Sequence, residues 1–117
     1  INLFAVFDNE DVVSNMTPNF NAVSKLDGQG LIVSSSSNQY DFVSRYFCPK
    51  YGINEDPVTG SAHTTLIPYW SEKLNKISLT AKQVSKRGGE LFCENTDNRV
   101  LIGGNAVLYM KGVIEID

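Results

Sequence analysis

The chain has 117 residues, one domain's length with no room for a second independent core. Hydrophobic residues make up 42% and charged residues 20%, which excludes a disordered or low-complexity chain. Ten Lys and Arg against thirteen Asp and Glu leave a net charge of −3 with no basic strip, and no apolar run approaches the ~18 residues that cross a bilayer, so neither nucleic acid nor a membrane is expected as a partner.

The chain opens on Ile1 inside an apolar segment, without an initiator methionine or a signal peptide, and is expected to be a piece of a longer cytoplasmic protein. Asn2–Phe7 is rich in strand formers. Thr17 then offers an N-cap ahead of Pro18 at a first helical position, and Phe20, Val23 and Leu26 give a short helical stripe. Asp27–Gly30 breaks it, Leu31–Val33 starts a strand, and the serine run Ser34–Ser37 is expected to end that strand in a loop. In Asp41–Cys48, Phe42, Ser44 and Tyr46 share one face and Val43, Arg45 and Phe47 the other, so aromatics on both faces predict a strand covered on both sides.

Ser61–Leu74 carries the strongest helical signal. Ala62, Leu66, Trp70 and Leu74 form an i, i+4 line that His63 and Ile67 widen, and Asn75 stands where a helix often ends in a left-handed residue. Pro68 lacks a backbone donor and crowds the carbonyl of Thr64, so a kink is expected there. Strands are expected at Ile77–Ala81, Gln83–Ser85, Glu90–Glu94, Arg99–Ile102 and Ala106–Ile116, separated by turns at Gly88-Gly89, Asn95–Asn98 and Gly103–Asn105. Many strands and two helices without alternation predict an α+β domain, a mostly antiparallel sheet with its most apolar helix inside the curve. Cys48 and Cys93 both sit in apolar contexts and are expected as reduced thiols in or near the core.

Glu55–His63 (EDPVTGSAH) bears the most chemistry. The first N–H groups of the following helix lack internal partners and carry the positive end of its dipole. Gly60 allows close backbone approach and the hydroxyls of Thr59 and Ser61 add donors, which makes a cradle for a carboxylate or phosphate; the bland reading is a capped helix end with a glycine turn. Asp56 at its mouth is a candidate proton donor or acceptor, or else a loop aspartate, and Glu55 is expected to be solvated. His63, the single histidine, is either a packed neutral ring or a catalytic base. Arg87 and Gly88 in the run KRGGE form a second candidate, a turn whose guanidinium could clamp a carboxylate, or a plain hairpin turn. One histidine with scattered carboxylates gives no metal-ligand spacing, so no metal is expected.

The order EDPVTGSAH, LIPYWSEKL, QVSKRGGEL, together with YDFVSRYFCPKYGIN before it and RVLIGGNAVLYMKGVIEI after it, closely resembles the C-terminal half of the phenazine-biosynthesis PhzF-like proteins of the diaminopimelate epimerase superfamily. The resemblance implies one of two pseudo-symmetric halves, each a sheet rolled about a central helix, with the active site in the cleft between them. It implies an isomerase that moves a proton on a small carboxylate substrate, without organic cofactor or metal. Asp56, Gly60 and Ser61 match family site positions, with His63 beside them. Asp56 stands where related epimerases carry a cysteine, so a two-thiol mechanism is not expected. The principal acid/base of the family is a glutamate of the other half, so the chain alone is expected to be inactive and, with its partner half missing, to self-associate. The competing reading is a non-catalytic interaction or scaffold protein that keeps the fold.

Overall fold

In the computed structural model, which describes residues 1–116, the elements follow as β1 (Leu3–Val6), α1 (Glu10–Ser14), α2 (Phe20–Val23), β2 (Leu31–Ser36) and β3 (Phe42–Phe47). They continue as β4 (Glu55–Asp56), α3 (Gly60–Leu74), β5 (Ser78–Gln83), β6 (Gly89–Asn95) and β7 (Val100–Gly103). The strands bond in the order β1-β2-β3-β5-β6-β7, with β4 on β3. The β1–β2 and β3–β5 pairs are parallel and the other four antiparallel. One edge of β3 is shared: its start, Phe42–Ser44, pairs with β5, and its end, Tyr46 and Phe47, pairs with Asp56 and Glu55. That sharing brings the β4–α3 junction to the end of β5.

The alternation along β3 divides the domain into layers. Phe42 and Tyr46 face α3, whose Ala62, Leu66, Ile67 and Trp70 are buried against them and against Leu79, Ala81, Leu91 and Cys93. Val43 and Phe47 face the other way, onto Val13 of α1 and Phe20 and Val23 of α2. Each such buried side chain contributes about 1.5–3 kcal/mol relative to exposure, so the central strand is anchored from both sides. Trp70 stacks on Phe42 with ring centroids 5.8 Å apart, and its indole N–H donates to the Ser34 hydroxyl at 2.9 Å.

Several local expectations give way to tertiary contacts. The serine run ends β2, as expected, but only at Ser36: Ser34 and Ser35 are fully buried inside the strand, and the Ser34 hydroxyl donates to the Val43 carbonyl at 2.6 Å, which lets a polar side chain occupy a sheet interior. The α2 cap is Asn19, whose side chain accepts from Ala22 N–H at 3.0 Å, rather than Thr17. A third helix, α1, starts on Asn9, which accepts from Val12 N–H at 3.0 Å. Helix α3 begins one residue earlier than expected, runs through Pro68, and ends at Asn75 in the left-handed conformation. The two strands expected at 77–81 and 83–85 are one, β5.

Ala106–Ile116 is not a strand. The sheet ends at β7, and Val107, Leu108, Tyr109, Val113, Ile114 and Ile116 stand out in solvent, because backbone groups form a strand only where another edge meets them. The Cα radius of gyration, 15.9 Å, exceeds the ~13 Å of a compact chain of this length, which fits the projecting segment. Among the described residues, no helix is long and apolar enough to cross a membrane. Cys48 and Cys93 are buried free thiols, and burial pushes Cys93 up to about 11.

Candidate active site

Strand alternation aims the two carboxylates of β4 in opposite directions. Glu55, opposite Phe47, lies on the outer layer, where Arg45 holds it in a two-pronged ion pair at 2.7 and 2.9 Å. It is therefore paired rather than solvated: the same guanidinium also donates to the carbonyls of Val13 and Met16, tying α1 to the sheet. Asp56, opposite Tyr46, lies on the α3 side at the entrance to the helix.

The loop between Asp56 and α3 is fixed by hydrogen bonds from β5. The Gln83 carboxamide accepts from Thr59 N–H at 2.8 Å and donates to the Asp56 carbonyl at 2.7 Å and to the Thr59 hydroxyl at 3.1 Å. Ser85 donates to the Pro57 carbonyl at 2.7 Å and accepts from Gly88 N–H at 3.1 Å, joining this loop to the Arg87–Gly88 turn. Gly88 has φ +70, the left-handed region that glycine tolerates best. A Cβ on Gly89 would collide with the Val58 side chain, so glycine lets the two loops approach.

Thr59 is the N-cap of α3, yet its side chain does not cap the helix. Its hydroxyl, expected to add a donor to the cradle, donates instead to Asp56 Oδ2 at 2.5 Å. The N–H groups at the start of α3 thus keep their positive end free of a side-chain cap. Gly60 and Ser61 are exposed, and a Cβ on Gly60 would meet nothing within 4 Å. An open depression of about 480 Å³ there is lined by Gly60, Arg87, Gly88 and the Gly103–Asn105 turn. The structure therefore gathers the Asp56–Ser61 loop and the Arg87–Gly88 turn into one neighbourhood.

His63 lies behind that neighbourhood. It is fully buried against Phe42, with centroids 5.9 Å apart, and its Nδ1 donates to the Thr59 carbonyl at 2.8 Å. Its Nε2 is buried without a partner among the described residues. Burial holds the imidazole below its usual value, so the ring is packed in its neutral form. A group with a lowered folded-state pKa contributes stability that is present above its unfolded value and lost as pH falls. Thermal melts between about pH 7 and about pH 5 should therefore show a stability loss that a His63→Leu chain lacks.

Gln83 and Ser85 escaped the sequence reading. The signal was present in SLTAKQ: Leu79, Ala81 and Gln83 share one strand face, and an amide in step with buried apolar residues must find buried partners.

The family model for phenazine biosynthesis-like proteins (PhzC-PhzF) matches residues 1–112. The chain belongs to this family. It is 50% identical to an uncharacterized isomerase of Pseudomonas aeruginosa over 97% of its own length and 44% of that protein's. It is 57% identical to a phenazine biosynthesis-like domain-containing protein of Bos taurus over 64% of the chain and 26% of the relative. A crystal structure of a PhzF-family phenazine biosynthesis protein from Enterococcus faecalis superposes with a TM-score of 0.88 at 55% identity, covering 93% of this chain and 42% of that one. The chain thus spans less than half the length of these relatives.

Proposed function

We propose that this PhzF-like chain is one half of an isomerase-type enzyme that removes and returns a proton on a small carboxylate substrate. The observation that carries the reading is the uncapped start of α3 opening on a depression beside Arg87, with Asp56 bonded to the residue that begins the helix. Relatives named as isomerases support it. The substrate carboxylate accepts from the N–H groups of Gly60, Ser61 and Ala62, and Arg87 adds a guanidinium at the rim. The fixed helix-end charge stabilises the negative charge that grows as the proton leaves. Asp56 gives or takes a proton on this side, and a glutamate of the complementary half, as the resemblance implies, serves the other. The chain alone lacks that wall and does not turn over.

Titration with sulfate, followed by amide shifts, tests the cradle. Movement is expected at Gly60–Ala62, with weak affinity because solvent screens an open site. Gly60→Val should abolish it, whereas Ser61→Ala should keep it, since the backbone supplies the donors. Unmoved amides at Gly60–Ala62 would reduce the motif to a helix start.

The projecting segment governs association in the same reading. Its exposed apolar side chains are the part that a complementary half covers, and without it the chain pairs with itself. Sedimentation should show concentration-dependent association that deletion of residues 105–117 weakens; a clean monomer at high concentration would count against it.

A further inference from the structure

We propose that Gln83 is the positioning residue of this site: its carboxamide dictates which way the Thr59 hydroxyl donates, and so pins one oxygen of Asp56. The proposal rests on the reading of Asp56 as a proton-transfer carboxylate. Gln83 ends β5 opposite Ser44 of β3, on the face that carries Leu79 and Ala81 towards α3, and is fully buried. A carboxamide has distinct ends, an accepting oxygen and a donating nitrogen.

Here the ends are not interchangeable. The Thr59 N–H can only donate, so it must meet Oε1, at 2.8 Å. Nε2 is then left to the Asp56 carbonyl at 2.7 Å and Thr59 Oγ1 at 3.1 Å, both acceptors of its protons. Having accepted from Gln83, the Thr59 hydroxyl has its single proton for another acceptor, and Asp56 Oδ2 stands at 2.5 Å. The direction of every proton in this chain follows from one backbone N–H. Asp56 Oδ1 makes no hydrogen bond among the described residues, so one carboxylate oxygen is held and the other is left for chemistry. His63, donating to the Thr59 carbonyl, steadies the same residue from the core side.

Proton NMR of the chain tests this without turnover. Thr59 is buried, so its hydroxyl proton should exchange slowly enough to give a resonance, which Thr59→Val assigns by removing it. That resonance should show a cross-peak to the Asp56 β protons. In Gln83→Glu the new carboxylate accepts where the amide donated, the hydroxyl turns to it, and the cross-peak should be lost. Gln83→Met, close in length and without donor or acceptor, decides if the first variant fails to fold: the cross-peak should weaken and Thr59 amide exchange should quicken about tenfold. A folded Gln83→Met chain that keeps both signals at wild-type strength, even with a lowered melting temperature, would overturn the proposal and leave Gln83 a packed amide. No ligand is needed, so a chain that ignores sulfate sinks the functional reading and leaves these signals in place.

Discussion

Trp70→Ala is expected to destabilise the chain by about 3–5 kcal/mol, the range for emptying a large aromatic site in a core. The indole is 3% exposed, stacked on Phe42 and set edge-on to Tyr69 at 5.2 Å, so its removal leaves a void between α3 and the central strand that neither rigid element can close. Domains of this size are stable by about 5–15 kcal/mol, so the variant should unfold at a far lower urea concentration. Trp70→Phe is the milder change. It keeps a ring against Phe42 but loses the donation to Ser34 and part of the buried indole, for about 1–3 kcal/mol. Urea titrations of both variants check the ranking. An alanine variant within about 1 kcal/mol of wild type would mean that α3 is not the core helix.

Asp56→Asn carries the largest functional effect. The substitution keeps the shape and an acceptor for the Thr59 hydroxyl but removes the carboxylate that would take up and give back a proton in the proposed reaction. In the whole enzyme, with the complementary half present, kcat should fall about 10²–10⁴-fold, the usual contribution of a positioned acid or base. KM should change little, because the proposed site holds the substrate carboxylate on the α3 backbone and Arg87 rather than on Asp56. In the proposed reaction a proton leaves carbon and one is put back, so uptake of solvent deuterium by a small carboxylate of the dihydro-hydroxyanthranilate type, as the PhzF-like resemblance implies, is the direct readout. Undiminished exchange in Asp56→Asn would remove Asp56 from the chemistry, and the scaffold reading would gain if no exchange occurred with either protein.

What was legible in advance is local. Periodicity placed the two-sided strand Phe42–Phe47 and the buried face of α3, because burial on one or two faces imposes a spacing that any window of sequence shows. Asn75 announced the helix end because its side chain tolerates the left-handed backbone found there. EDPVTGSAH announced a helix start with a glycine at its entrance, because a glycine there is a backbone statement, complete within a few residues.

What tertiary structure decided is everything that needs a distant partner. Ser34 reads as the start of a loop until Trp70 and Val43 supply a donor and an acceptor inside the core. Thr59 reads as a cap until Gln83, 24 residues away, turns its hydroxyl towards Asp56. The apolar run at 106–116 reads as a strand, yet no strand edge among the described residues meets it. A side chain's propensity is carried by its own residue, whereas hydrogen-bond satisfaction and strand pairing belong to pairs of residues, and only the fold chooses the pairs.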